Sequence, residues 1–349
     1  MTTFADFLEM PVAQRVTLAR EATGERRLPW PLRARLYVAF SRPRTCVPMI
    51  FAFQLGAEFA GIEQTWRTAI GLAVFFIVGA IANLFNIYTD IEEDSANMPA
   101  RVFHLTRYGR QRLLRDTYVL CGLVVIAAAC VGPAFLVTSI VALVGAHQYS
   151  CRPLRLKERP VLGILLFATV IAYPFASIAA LAPDIRAQAL DSGLLVACLY
   201  LLLWFCAKGL VKNVPDFEGD ADARLATSAT VTGSRDRAAR TAAVASIIAY
   251  AGIAAPVALG AFPPRALFTL LWLPIVVWQG VRLIRADSMT AGNNVLRTDM
   301  LVSAGFLASL ILLLDCTAAN VAVVLIGMAL IAIADALRLD SRTKADSVR

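Results

Sequence analysis

The sequence has little charge and few of the side chains that hold transition metals. Charged residues make up 17% of the 349 residues, and the only histidines are His104 and His147. The seven cysteines form no Cys-x-x-Cys pair and mostly stand within apolar runs. These shortages argue against a histidine metal centre, a zinc site and a disulfide framework. By contrast, 58% of the residues are hydrophobic, which indicates a membrane protein.

Apolar runs recur along almost the whole chain, and each is long enough to approach the roughly 20 helical residues that cross a bilayer. The predicted spans are residues 45–62, 68–89, 117–133, 135–149, 162–182, 193–211, 239–261, 266–284, 300–314 and 318–337. This pattern predicts an all-α integral membrane protein, a multi-span helical bundle of about nine or ten transmembrane helices.

The runs divide the chain into a cytoplasmic N-terminal arm (1–44), a transmembrane domain (45–337) and a polar C-terminal tail (338–349). Apolar residues recur at helical spacing in the arm, at Phe4, Leu8, Val12 and Val16. The arm is therefore predicted to be partly amphipathic and to form a helix on the membrane surface, which Pro11 would kink; a frayed arm is the alternative.

Basic residues are concentrated in alternate loops between the predicted spans. The other loops hold only Arg67, Arg186 and Arg265. Because cytoplasmic loops retain Lys and Arg, this asymmetry predicts which loops are cytoplasmic. It also accounts for the net charge of +8 without a nucleic-acid partner. We therefore expect a multi-pass protein whose functional site faces the cytoplasm.

Two apolar runs end in carboxylate motifs with the same spacing of four residues. The first motif contains Asn86, Asp90 and Asp94, and the second contains Lys212, Asp216 and Asp220. On a helix, residues four apart share one face. Each motif ends the second helix of a four-helix set, which predicts two four-helix repeats around a central cavity.

Carboxylates one turn apart repel each other, so a motif that occurs twice needs a compensating cation. Magnesium prefers oxygen ligands and completes its shell with water and phosphate oxygens. Nearby basic residues suited to a diphosphate are Arg101, Arg155, Lys157 and Lys212. The sequence thus predicts a site for a diphosphate with a hydrocarbon tail. We call the aligned residues of each motif a carboxylate stripe. The acidic residues Glu92, Glu93, Glu218 and Asp222 lie off the two stripes and are predicted to be solvated.

Three segments resemble one family. NIYTDIEEDSANMPAR, from Asn86 to Arg101, resembles the N-x-x-x-D-x-x-x-D-x-x-N-x-P-x-R signature of the UbiA superfamily of intramembrane prenyltransferases. KNVPDFEGD, from Lys212, resembles that superfamily's K-D-x-P-D-x-E-G-D. YSCRPLRLK, from Tyr149 to Lys157, is similar to its Y-S-x-P-P-x-R-L-K loop. The last two are most similar to the homogentisate and chlorophyll branch.

The resemblance implies transfer of a prenyl group from an allylic diphosphate to a small aromatic acceptor, a phenol or quinone precursor, within the lipid membrane. It implies two magnesium ions held by Asn86, Asp90, Asp94, Asp216 and Asp220. It also implies diphosphate contacts from Arg101, Lys157 and Lys212, with Tyr149 nearby. The four aspartates, Arg101 and Lys212 would form the catalytic set. Aromatic residues that could shield an allylic cation are Phe85, Tyr88, Phe167, Tyr173, Trp204 and Phe205.

Departures from the signatures leave the acceptor open. Asn213 replaces an acid, Arg152 replaces a proline, and residues 102–105 replace a proline-rich stretch. A terpene cyclase or a lipid-directed prenyltransferase could use the same magnesium site. A transporter with intramembrane carboxylates is the non-enzymatic alternative. The carboxylates of transporters usually lie near the bilayer midplane, whereas these aspartates are predicted at the cytoplasmic ends of the spans. No residue is a convincing general base.

Overall fold

The computed structural model describes residues 3–25, 28–181, 193–222 and 224–339, which form helices joined by short turns. In chain order the α-helices are α1 (Phe4–Glu9), α2 (Val12–Glu21), α3 (Trp30–Ser41), α4 (Pro43–Phe59), α5 (Trp66–Thr89), α6 (Ile91–Asn97), α7 (Pro99–Tyr108), α8 (Arg110–Val131), α9 (Pro133–Ser150), α10 (Pro160–Ser177), α11 (Gly193–Asn213), α12 (Phe217–Asp222), α13 (Arg235–Ala251), α14 (Ala254–Ala258), α15 (Leu273–Arg285), α16 (Met289–Leu314) and α17 (Ala318–Ala336).

The predicted multi-span, all-α bundle is confirmed. Within the described ranges, eight helical segments are long and apolar enough to cross a membrane. They are Trp66–Thr89, Arg110–Val131, Pro160–Ala180, Gly193–Asn213, Arg235–Ala258, Pro264–Arg285, Met289–Leu314 and Ala318–Ala336. The other two predicted spans correspond to α4 and α9, of 17 and 18 residues. Residues 182–192 and 340–349 lie outside the described residues, and with them the Arg186 loop and most of the predicted tail.

Glycine and proline set the boundaries of the helices in the first half. Gly109 has a φ of +96° and separates α7 from α8, while Gly132 has a φ of +150° and separates α8 from α9. An L side chain rarely adopts such a conformation. Pro133 and Pro160 open α9 and α10, where the missing N–H costs no helical hydrogen bond. The chain therefore turns sharply between long apolar segments.

The helices pack in the same order in both halves of the chain. In the first half α4 contacts α5, α5 contacts α8 and α8 contacts α9; in the second α10 contacts α11, α11 contacts α13 and α13 contacts α15. Helix α4 also contacts α10, α16 and α17, so it joins the halves at the centre. Many leucine, isoleucine and valine side chains on the outer surface are exposed, as a lipid-facing surface requires.

The N-terminal arm folds back onto the helices that follow the first motif. Pro11 separates α1 from α2, and the arm packs on α6 and α7 through the buried Phe7 and Ala19. Leu8 and Val12, on the predicted apolar face, are 42% and 44% exposed. Arg15 donates to the carbonyl oxygens of Phe7 and Ser95, both at 3.0 Å, and so ties the arm to α6.

Candidate active site

The first motif keeps its one-turn spacing across a helix boundary. Helix α5 contains Asn86 and ends at Thr89, Asp90 links it to α6, and Asp94 lies within α6. The Asp90 amide donates to the Asn86 carbonyl and the Asp94 amide to the Asp90 carbonyl, both at 2.8 Å. The backbone thus continues helically through Asp90 and keeps the three side chains on adjoining turns.

The second motif has the same arrangement at the end of α11. Lys212 is in the last turn of α11, Asp216 stands in the turn that follows, and Asp220 belongs to α12. The Asp220 amide donates to the Asp216 carbonyl at 2.9 Å. Helix α12 packs on α6, and a Cβ on Gly219 would overlap the side-chain amide of Asn97. The two motifs therefore touch directly.

The segment after α9 joins the first motif from the other side. Ser150 donates a hydrogen bond to the Asn86 side-chain oxygen. Lys157 forms an ion pair with Asp90 and a second one, at 3.2 Å, with Glu93. Arg155 pairs with Glu93 at 2.9 Å and with Glu158 at 3.0 Å.

Glu93 corrects one sequence prediction. Glu92, Glu218 and Asp222 are exposed, as predicted. Glu93, in contrast, is only 7% exposed and forms ion pairs with Lys157 and Arg155. The spacing rule that placed Glu93 off the stripe considered only its own helix. Its partners come from the segment after α9, far away in the sequence.

Burial and like charge act strongly on the carboxylates. Burial, with Asp90 and Glu93 nearby, raises the pKa of Asp94 to about 6, although Arg101 at 2.8 Å opposes the shift. Burial and the neighbouring Asp216 raise the pKa of Asp220 to about 7. Burial disfavours the charge of Lys157, but Asp90 and Glu93 outweigh it and raise its pKa. These carboxylates are poised for a cationic partner.

Nearly all the predicted site residues line one cavity of about 90 Å³, here called the polar pocket. They are Asn86, Asp90, Asp94, Arg101, Tyr149, Lys157, Lys212, Asp216 and Asp220. Arg155 reaches the pocket wall through Glu93. Arg152, which replaces a signature proline, is exposed and is not among the described residues that line this pocket or the cavity beside it.

A second cavity of about 150 Å³, here called the apolar cavity, adjoins the polar pocket. Four residues line both: Arg42, Asn86, Tyr149 and Lys212. The Lys212 ammonium lies 6.0 Å from the ring centre of Tyr149 and 5.4 Å from that of Phe167, within cation–π range. Of the aromatic residues proposed to shield a cation, Phe167, Trp204 and Phe205 line this cavity.

Sequence reasoning missed charged residues in the apolar cavity. Lys208 lies within α11 and pairs with Asp299 of α16 at 2.9 Å. Arg44 is 1% exposed and pairs with Asp335 at 2.9 Å. Arg44, Lys208 and Asp299 all line the cavity. The available signal was a charge inside an apolar span, which usually marks a functional position.

The polar pocket offers oxygen ligands suited to a hard cation such as magnesium. Among the described residues, no three His, Cys, Asp or Glu side chains form a ready metal-binding group. Magnesium usually takes only one or two carboxylates and fills its shell with water and phosphate oxygens. The residues therefore fit a cation that is held together with a diphosphate.

Fold and site together define a multi-span membrane protein with a carboxylate-lined pocket beside an apolar cavity. The UbiA prenyltransferase family profile matches residues 46–303, and the chain belongs to this family. It is therefore a membrane prenyltransferase.

Similar proteins agree with this assignment. A lycopene elongase/hydratase from Corynebacterium glutamicum is 26% identical over 212 residues, covering 58% of this chain and 70% of that protein. A UbiA homolog from Archaeoglobus fulgidus, solved with GPP and Mg2+, superposes with a TM-score of 0.56 at 17% identity, covering 85% of this chain and 99% of the other. A digeranylgeranylglyceryl phosphate synthase structure gives a TM-score of 0.56 at 16% identity, covering 82% and 99%. At these identities the solved structures show a shared fold.

Proposed function

We propose that this prenyltransferase uses magnesium to transfer a prenyl group from an allylic diphosphate to an aromatic acceptor, a phenol or quinone precursor, and releases diphosphate. The observation that carries the proposal is the junction of the two cavities. A polar pocket suited to a diphosphate opens, at Asn86, Tyr149 and Lys212, onto an apolar cavity suited to a hydrocarbon chain. A prenyl diphosphate has these two parts joined by one bond.

The ends of the donor would occupy the two cavities. In the polar pocket, Asn86, Asp90, Asp94, Asp216 and Asp220 would hold the metal, with two ions as the expected number. Magnesium, when bound, neutralises the diphosphate and so makes it a better leaving group. Arg101 and Lys157 now pair with Asp94 and Asp90, and they would exchange these partners for diphosphate oxygens.

Reaction at the junction breaks the bond between the allylic carbon and the diphosphate oxygen, and the electron pair leaves with the diphosphate. The ring π electrons of the acceptor form the new carbon–carbon bond, after which the ring gives up its proton to the departing diphosphate. Lys212 stands where negative charge grows on the leaving group, so its attraction strengthens as the bond breaks. The apolar cavity excludes the water that would otherwise capture the cation.

Motif similarity to the homogentisate and chlorophyll branch supports the aromatic acceptor. The Corynebacterium relative favours a second candidate, in which the nucleophile is a carbon–carbon double bond or water. A terpene cyclase or a lipid-directed transferase would use the same polar pocket. The distribution of basic residues supports a site that faces the cytoplasm.

The test is an assay of purified protein in lipid vesicles with geranyl diphosphate and Mg2+, with and without 2-methylhydroquinone. We expect a prenylated hydroquinone and released diphosphate only when both substrates are present, and reversible loss of activity in EDTA. A terpene formed from the donor alone would establish the cyclase instead. Full transfer in the presence of EDTA would refute the role of the metal.

A further inference from the structure

The Lys208–Asp299 ion pair stands in an unusual place for two charges. The Lys208 ammonium and the Asp299 carboxylate oxygen Oδ1 are 2.9 Å apart, and each side chain is 8% exposed. Both residues lie within apolar spans and both line the apolar cavity. Taking two charges out of water is costly, and an apolar pair of similar volume is often no less stable. Helix packing alone therefore does not explain the pair.

Aromatic rings fix the orientation of the pair. The Lys208 ammonium lies 4.7 Å from the ring centre of Tyr250 and 5.6 Å from that of Trp204. Trp204 stacks on Phe306 with an interplanar angle of 15° and a centroid separation of 5.2 Å. Such cation–π contacts hold the ammonium in one position within the otherwise apolar wall. The charges are thus preorganised at the surface of the cavity.

Hydrogen-bonding capacity remains on both partners. A lysine ammonium has three donors and a carboxylate has about four acceptor sites. Among the residues that the structure describes, the single hydrogen bond of each group is the one that joins them. A hydroxyl group entering the cavity could donate to Asp299 and accept from Lys208 at the same time. A pure hydrocarbon would leave both capacities unused, at a cost in binding.

The pair also lies at a suitable distance from the reacting centre. Lys208 is four residues before Lys212 on α11, which places it about 6 Å deeper along the helix axis. Lys212 marks the diphosphate end of the donor, since it lines both cavities. A ring whose hydroxyl group binds the pair would extend toward the allylic carbon next to the diphosphate.

We infer that Lys208 and Asp299 form the acceptor subsite, which binds the hydroxyl group of a phenolic ring and orients that ring toward the donor. This inference rests on the proposed function and specifies its acceptor. The hydroxyl donates to Asp299, which increases electron density on the ring that attacks the donor. Lys208 keeps the carboxylate in place and donates to the hydroxyl oxygen. These are the polar groups through which an apolar cavity selects a phenol.

The experiment compares three variants with wild type in the vesicle assay with geranyl diphosphate, Mg2+ and 2-methylhydroquinone. Asp299→Asn keeps the shape of the side chain and its hydrogen bond with Lys208 but removes the negative charge at position 299. The double variant Lys208→Met with Asp299→Leu replaces the pair by apolar side chains of similar volume. The matched control, Arg33→Met with Asp116→Leu, removes an ion pair of the same length, 2.9 Å, whose residues line neither cavity.

We expect both subsite variants to raise the KM for the hydroquinone by about tenfold or more, which corresponds to about 1.4 kcal/mol. The KM for geranyl diphosphate should match wild type in both variants, and the control should leave both KM values unchanged. The Tm should match wild type in the double variant, whereas Asp299→Asn should lower it, because Lys208 stays buried without its negative partner. The dimethyl ether of the hydroquinone cannot donate a hydrogen bond. It should compete poorly against the hydroquinone for binding to the wild-type enzyme. In the double variant it should bind as well as the hydroquinone does.

An unchanged hydroquinone KM in both variants would overturn the inference, as would equal increases in the KM of donor and acceptor. The proposed function is read from wild type alone. If wild type consumes the donor without prenylating the hydroquinone, the aromatic acceptor is wrong and the subsite fails with it. If wild type prenylates the hydroquinone but the subsite variants, like the control, leave both KM values unchanged, the proposed function stands and the subsite alone is refuted.

Discussion

At the scale of single residues, the equivalent aspartates of the two motifs have different surroundings. Asp90 is bonded to Lys157, which also pairs with Glu93, so its removal would disturb a network of buried charges. Asp216 stands in the turn between α11 and α12, one turn before the buried Asp220. Asp216 lines the polar pocket, so its replacement tests the carboxylate stripe of the second motif directly.

Replacing Asp216 by Asn should reduce turnover by about 100-fold or more at saturating donor and Mg2+, while the Tm stays near that of wild type. The amide keeps the shape of the side chain but removes the charge that would attract the metal. Asp222→Asn is the matched control, since this exposed aspartate belongs to the same segment but lies off the stripe. Wild-type turnover in Asp216→Asn would contradict the predicted metal role.

Residue environments also mark how far sequence reasoning reaches. The spacing of Asn86, Asp90 and Asp94 follows from local helix geometry, so the sequence predicted it correctly. The partners of Glu93 and Lys208 lie 62 and 91 residues away in the chain. Such pairings depend on which helices meet, and spacing along one helix carries no information about that.

At the scale of elements, the contact between α6 and α12 brings the two motifs together. Asn97 ends α6, and Gly219 lies inside α12 against its side-chain amide. A glycine within a helix is destabilising by roughly 0.5–1 kcal/mol relative to alanine, so its presence here reflects the close approach of the neighbour. The spacing between the carboxylate stripes therefore depends on the absence of a Cβ at Gly219, which lets α12 approach α6 closely.

Gly219→Ala should lower turnover by about tenfold or more, because the added methyl group pushes α12 away from α6 and separates the stripes. Combining it with Asn97→Ala removes the overlapping amide and should restore part of the activity lost by Gly219→Ala. Turnover of the two single variants and the double variant gives the coupling between the positions. Purely additive losses would show that the steric contact does not set the spacing.

At the scale of the whole molecule, the two ends of the bundle differ in charge. The polar pocket, the arm and the basic loops lie at the ends of α5, α9 and α11, where both motifs are found. The turn between α4 and α5 belongs to the loops with few basic residues. By the bias of cytoplasmic loops toward Lys and Arg, the site end should face the cytoplasm.

Single cysteines at Ala221 and Gln64 should react with a membrane-impermeant maleimide from opposite sides of sealed vesicles. Both positions are exposed, the first in α12 and the second in the turn before α5. The background replaces the seven native cysteines, and activity must be retained before labelling. Labelling of both cysteines from one side would contradict the predicted topology.

Composition and run length predicted the bundle because a bilayer allows few solutions for an apolar chain. They did not predict that the arm packs on α6 and α7, since that contact depends on Phe7 and Arg15 meeting residues far along the chain. The polar pocket was predicted because its residues belong to local motifs. The charged wall of the apolar cavity was not, since Lys208 and Asp299 come from separate helices without a motif.

Helix α11 sets Trp204, Lys208 and Lys212 at intervals of four residues along the apolar cavity. With about 3.6 residues in each turn, inserting or deleting one residue between them would rotate everything beyond it by about 100°. The ring, the ion pair and the diphosphate-side lysine could then no longer face the same space. Related chains should therefore vary in the length of their loops, while the segment from Trp204 to Lys212 keeps a constant number of residues.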